Sequence, residues 1–100
     1  MQTLHNSEAE QSVLGALMLD NKSWYRVSDM IAEMDFYIFQ HRVIFNAIKK
    51  LAAEQSPFDW VTITGELKKI NELENIGGDN YLINLLMVIN NSSNTSFSPS

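Results

Sequence analysis

Apolar residues recur at helical spacing in successive stretches of this chain. Val13, Leu14, Leu17 and Met18 fall on one face of a first predicted helix. Ser7, followed three residues later by Glu10, reads as the capping box that opens it. Asp20 and Asn21 stop it and can cap the next. Gly15 interrupts this helix at about 1 kcal/mol relative to Ala, and marks either close approach by a neighbour or a tolerated weakness. A second helix is predicted near residues 23–34, with Trp24, Val27 and Ile31 at spacings of three and four. Asp35 begins a break, and Phe36–Tyr37 is an aromatic pair on a short connection. The third helix, near residues 39–54, carries the broadest stripe. Val43, Ala47 and Leu51 form one row, and Ile44, Ile48 and Ala52 the adjacent one.

Ser56–Pro57 ends that helix, because a residue before proline avoids the α region. Asp59 is placed to cap a fourth helix near residues 60–70, with Ile63, Leu67 and Ile70 inward. Val61 to Thr64 have β preference, so a short strand is the alternative. Helical spacing continues through Lys69 and no partner strand is evident, which favours helix. Gly65 weakens this helix as Gly15 does the first. Leu73 to Gly78 reads as a connection, with Gly77–Gly78 able to supply positive φ at a turn. Asp79 then caps a fifth helix to about Ile89, with Leu82, Leu85, Leu86 and Ile89 inward. From Asn90 the chain is rich in Ser and Asn, with Phe97 as its single large apolar residue, and cannot build a core alone. The organisation is an N-terminal arm over 1–6, a helical head over 7–89, and a polar tail or start of a linker or hairpin over 90–100.

Composition narrows the function. A chain of 100 residues supports one core. The net charge of −5 argues against unaided binding to nucleic acid, which needs clustered cations. Lys49–Lys50 and Lys68–Lys69 are the largest basic runs, and each reads as solvated helix surface. With no cysteine, disulfides and thiolate metal sites are excluded, which fits a reducing compartment. The longest apolar run, Leu85 to Ile89, is far too short to span a bilayer, and the first ten residues have no signal-peptide order. The expected location is the cytoplasm.

Catalytic chemistry is not legible. Gly77–Gly78 lacks the Lys and Ser or Thr that complete a phosphate loop. His5 and His41 have no second ligand at metal spacing. No serine is paired with a recognisable base. The chain itself is therefore expected to be no enzyme and to bind no cofactor or metal. Aromatic and methionine residues are more numerous than one small helical core easily surrounds, and exposed ones are enriched at protein interfaces. Trp24, Phe39, Trp60 and Met87 are the interface candidates, Trp60 for its place beside a cap and Met87 for lying off the fifth helix's inner row.

Four blocks carry a family resemblance. They are His5 to Asn21, containing Glu8–Ala9–Glu10–Gln11–Ser12–Val13–Leu14–Gly15; Asp35–Phe36–Tyr37 with His41–Arg42–Val43–Ile44–Phe45; Ser56–Pro57–Phe58–Asp59 with Val61–Thr62; and Ile76–Gly77–Gly78 with Tyr81–Leu82. In this order and spacing, over about residues 4 to 96, they resemble the N-terminal domain of DnaB-type replicative DNA helicases. Leu4, Gly65 and the stretch Leu86 to Asn91 depart from the family's pattern. The resemblance implies an all-α fold, a compact orthogonal bundle of five to six short helices. It implies a non-catalytic module for oligomerisation and docking in DNA replication. In the parent proteins, such heads pair, with the helical hairpins that follow, into a collar on a hexamer. That collar contacts primase and, in some systems, a helicase loader. ATP and Mg belong to a separate ATPase domain of the parent family. Alone, the head is expected to form a weak homodimer, without direct contact to nucleic acid or membrane. The other reading of the same residues is a stand-alone phage or mobile-element mimic that regulates helicase or primase. A fragment of a helicase is the expected origin.

Overall fold

In a computed structural model, residues 7–87 are described, and every described element is a helix or turn. The order is α1 (Ser7–Leu19), a 3-10 turn (Asn21–Ser23), α2 (Trp24–Met30), a 3-10 turn (Glu33–Asp35), α3 (Phe39–Ala53), α4 (Trp60–Lys69), a 3-10 turn (Glu74–Ile76) and α5, described over residues 79–87. The fold is all-α, and the Val61–Thr64 stretch is helix rather than strand. Its β-branched residues are accommodated because only Ile63 points fully into the core, while Val61 stays exposed.

α3 is central. Helices α1 and α4 and the turns Glu33–Asp35 and Glu74–Ile76 pack against it. The core follows the predicted rows: Leu14, Leu17 and Met18 from α1; Ile44, Ala47, Ile48 and Leu51 from α3; Ile63 and Leu67 from α4; Leu82 and Leu85 from α5. Val13, Val43, Ala52 and Leu86 pack half-buried around them. Ile70 departs from expectation. It lies past the last turn of α4, at its C-cap, and is exposed. Ile89 and the tail lie outside the described residues.

The second helix is shorter than predicted. It begins as a 3-10 turn, runs from Trp24 and stops at Met30, four residues early. Ile31 turns extended, φ −127° and ψ 135°, and drops into the core. The Asp35 carboxylate accepts the Ala32 N–H at 2.8 Å and fixes the following turn. Asp35 thus offers the backbone a local alternative to helix. The fifth helix starts at residue 79, so Asp79 is its first residue rather than its cap.

Three helical segments end in the same way. Gln55, Asn71 and Gly77 have left-handed backbone, φ 59°, 59° and 105°. In each case the next N–H reaches back to a carbonyl five residues earlier: Ser56 to Leu51, Glu72 to Leu67, Gly78 to Leu73, all at 2.9 Å. This is the Schellman closure, which satisfies carbonyls left free at a helix end. It ends α3 before Pro57 could.

Asn21 ties the two ends of the bundle together. Its amide donates to the carbonyls of Leu17 (3.0 Å) and Phe58 (2.8 Å), and its side-chain oxygen accepts the Phe58 N–H at 2.9 Å. The loop before α4 is thereby fastened to the end of α1. Phe58 is buried there and Trp24 stands against it, ring centroids 6.2 Å apart. Asp59 then caps α4 as predicted, accepting from Val61 and Thr62 at 2.9 Å, while Thr62 returns the bond to Asp59 N–H.

Candidate protein-interaction surface

Glu10 lies on the α1 row that also carries Leu14 and Leu17, and its side chain is fully buried. It does not serve the capping box. Ser7 instead accepts from the Gln11 amide at 3.2 Å. The Glu10 carboxylate crosses to the start of α3, which has no side-chain cap of its own at Ile38. It accepts the N–H of Tyr37 at 2.7 Å and of Ile38 at 3.3 Å, and meets His41 Nδ1 at 2.7 Å. An ionised carboxylate only accepts, so Nδ1 carries the proton. In the neutral ring, Nε2 is then the acceptor for the Tyr81 hydroxyl on α5. Burial pushes the Tyr81 phenol upward, the Glu10 charge adds to this, and a hydrogen bond with Gln11 opposes it. The phenol therefore remains a donor near neutral pH. The imidazole and phenol rings are stacked, centroids 5.8 Å apart.

An acid, a base and a hydroxyl in line could suggest nucleophilic chemistry. Here both Glu10 and His41 are buried, and neither lines the cleft at Trp24 and Phe58 or the one at Lys68 and Leu73. What the network does is hold backbone. Arg42 completes it from the other side, donating from Nε to the Phe36 carbonyl at 2.8 Å and from Nη2 to the Tyr37 carbonyl at 3.2 Å.

The fixed segment separates two aromatic neighbours. Phe36 is fully buried, 5.0 Å from the Phe45 ring centroid. Tyr37 is 82% exposed. Within ten residues Met30, Met34, Tyr37 and Phe39 all present more than half of their surface to solvent. Apolar side chains on a backbone pinned by a buried network are suited to binding, because little order remains to be imposed on association.

Comparison with known proteins identifies the family. The model of the DnaB-like helicase N terminal domain matches residues 2–98. The chain belongs to this family. Over 81 residues it is 41% identical to the replicative DNA helicase DnaB of Haemophilus influenzae, covering 81% of this chain and 17% of the relative. Over 90 residues it is 39% identical to replicative DNA helicase DnaB of Geobacillus stearothermophilus, covering 90% and 20%. The chain thus spans about a fifth or less of these relatives. The crystal structure of the N-terminal domain of DnaB helicase from Mycobacterium tuberculosis superposes with a TM-score of 0.84 at 31% identity, over 97% of this chain and 67% of that one.

In this DnaB-like domain the interface candidates divide into two kinds. Phe39 and Met87 are exposed, each 53%. Trp24 and Trp60 are half-buried against the core. Trp24 is chiefly a packing residue, 5.4 Å from the Phe45 centroid, and its edge lines an open cleft of about 500 Å³ with Tyr25, Pro57 and Phe58. Phe39 belongs to the 30–39 segment, while Met87 is near the end of the described chain. Met30, Met34 and Tyr37 were not singled out by sequence. The signal for Tyr37 was its place next to Phe36: on an extended backbone, neighbours point to opposite sides. The signal for Glu10 and His41 was a polar residue on each of two apolar rows. Among the described residues, no three His, Asp or Glu side chains converge to hold a metal, and no helix is long and apolar enough to cross a membrane.

Proposed function

We propose that this chain is the part of a replicative DNA helicase through which subunits associate and other replication proteins dock. In this reading it contributes to the collar of a hexamer and to the surface that receives primase and, in some systems, a loader. Nucleotide hydrolysis and strand unwinding lie elsewhere in such a helicase. The observation that carries the reading is the exposure of Met30, Met34, Tyr37 and Phe39 within ten residues, with the backbone around Tyr37 held by Glu10 and Arg42. Aromatic and methionine side chains at the surface are the composition that protein interfaces favour.

Sedimentation equilibrium of the purified chain across a wide concentration range tests the self-association arm. A pair of heads alone is expected to bury less than the roughly 1,200 Å² of specific stable interfaces. The expected result is therefore a reversible monomer–dimer equilibrium of micromolar or weaker affinity, about −8 kcal/mol or less in magnitude. A strict monomer at high concentration would place pairing outside this chain and leave docking of primase or a loader as its role.

A further inference from the structure

This chain has no cysteine, so the thioethers of its five methionines are its only sulfur atoms. They are unevenly placed. Met1 lies outside the described residues. Met18 is in the core at 5% exposure, and Met87 stands on α5 at 53%. Met30 and Met34 fall in the segment where Tyr37 and Phe39 are also exposed, and are themselves 55% and 79% exposed. Met30 is the last residue of α2, and Met34 sits in the 3-10 turn that follows. Between them Ile31 turns into the core, and the Asp35 carboxylate holds the Ala32 N–H. The backbone that carries the two sulfurs is thus anchored by groups other than the methionine side chains.

Association alone does not require methionine here, because leucine presents a similar apolar surface. A thioether adds two properties: it is flexible and polarizable, and it can take up oxygen. A hydroperoxide supplies the oxygen in one two-electron step. The sulfur lone pair attacks a peroxide oxygen, the O–O bond breaks, and an S–O bond forms. The proton on the transferred oxygen passes to the departing oxygen, which leaves as water or an alcohol. Sulfur is oxidised and the peroxide is reduced. The product, a sulfoxide, is polar where the thioether was apolar. A reductase reverses the step with two thiols, which become a disulfide while the oxygen leaves as water. At Met18 the change would put a polar group into the core, but burial keeps oxidant from that sulfur. At Met30 and Met34 it alters the surface and leaves the core as it is.

We propose that Met30 and Met34 are oxidation sites that switch this surface, with a hydroperoxide as the oxidant. Sulfoxidation makes the segment polar and weakens pairing without unfolding the domain. The proposal rests on the reading that residues 30–39 form a pairing surface. Weak, reversible association leaves the segment open in the free chain, and pairing covers it, so the oxidant acts on the unpaired form.

The test treats the purified chain with hydrogen peroxide and follows it by peptide mass spectrometry, circular dichroism and sedimentation equilibrium. Met30 and Met34 should each gain one oxygen about tenfold or more faster than Met18, because oxidation follows access to the sulfur. The helical signal should persist, and the dimer should weaken by about tenfold or more. Met30→Leu with Met34→Leu removes both thioethers; whatever that variant's starting affinity, peroxide should change it by less than about twofold. Met87→Leu should respond to peroxide as wild type does. Oxidation of Met30 and Met34 no faster than that of Met18, loss of the helical signal, or an equal loss of pairing in the doubly substituted variant would each overturn the proposal. A chain that is monomeric before treatment would overturn the pairing reading and the switch with it. Selective oxidation that leaves pairing intact would overturn the switch alone.

Discussion

Glu10 Oε1 lies 2.7 Å from His41 Nδ1, joining α1 to the first turn of α3 through two side chains that never meet solvent. This hydrogen bond is one of three that the carboxylate makes. Glu10 also takes the N–H groups of Tyr37 and Ile38, so it does for α3 what a local cap would do, from a distant helix. His41 passes the connection to Tyr81 on α5. Residues from three of the four family blocks thereby meet in one chain of hydrogen bonds.

Removing one member should therefore be severe. In Glu10→Ala, two backbone donors and the Nδ1 proton lose their acceptor; in His41→Ala, the carboxylate loses its buried partner. Each is expected to cost about 3–5 kcal/mol, the range for breaking a buried pair by deleting one side. Urea unfolding followed by circular dichroism measures it. Glu10→Gln keeps an acceptor oxygen and should lose clearly less. If the alanine variants unfold at nearly the wild-type midpoint, the network does not support the fold.

Gln55 offers a change in the opposite direction. It occupies the left-handed position of the closure that ends α3, φ 59°, where a side chain is strained. It is exposed, and its side chain makes no hydrogen bond or ion pair among the described residues. Gln55→Gly relieves the strain but makes the unfolded chain more flexible. The strain term is the larger, so a net gain of about 0.5–1 kcal/mol is expected. Thermal melting of the variant should show a higher midpoint, whereas a fall would mean that chain entropy outweighs the strain.

The contrast between Asp59 and Glu10 shows what the sequence made legible. Asp59 caps its own helix three residues on, so its role is local and was readable from spacing. The inner rows of α1, α3 and α4 were readable for the same reason, since a 3.6-residue period states which face is covered. Glu10 looked like a local cap because Ser7 precedes it at the right spacing, yet its partners are 27 to 31 residues away. Asn21 was read as a helix stop, but it also clamps Phe58, 37 residues on. Helix α2 ended early because Asp35 competes for the backbone, a contest that apolar spacing does not register. The exposed segment 30–39 followed from that early end, which turned Ile31 inward and left Met30 and Met34 outside.

Glu66 gives the fold a pH dependence with a defined sign. The hydrogen bond and charge of Lys50, helped by Lys69, hold its carboxyl below the ordinary 4.5, and burial only partly opposes them. A depressed folded value means that the ionised form is favoured by folding. Its contribution is present above the unfolded value and is lost as pH falls through the folded one. Wild type should be more stable than Glu66→Gln at pH 7. The difference should narrow as pH drops below about 4.5 and vanish once the carboxyl is protonated in both states. Urea titrations of both proteins at several pH values check this, and a gap that stays constant into acid would exclude the ion pair as its source.

The exposed segment makes a prediction that separates association from folding. Tyr37 and Met34 are 82% and 79% exposed, so their side chains add little to the core. The backbone beneath Tyr37 is held by Glu10 and Arg42 through main-chain atoms, which a side-chain exchange leaves in place. Met34→Ser with Tyr37→Ser should therefore change unfolding free energy by no more than about 0.5 kcal/mol per site. If the segment is a pairing surface, the same exchange removes two apolar anchors and should weaken the dimer by about tenfold or more, since such anchors carry most of an interface's energy. Sedimentation equilibrium of wild type and variant, run beside urea unfolding, reads the two effects independently. A variant that dimerises like wild type would exclude these two side chains as pairing anchors. Lost dimerisation together with a large loss of stability would instead mean that they support the fold.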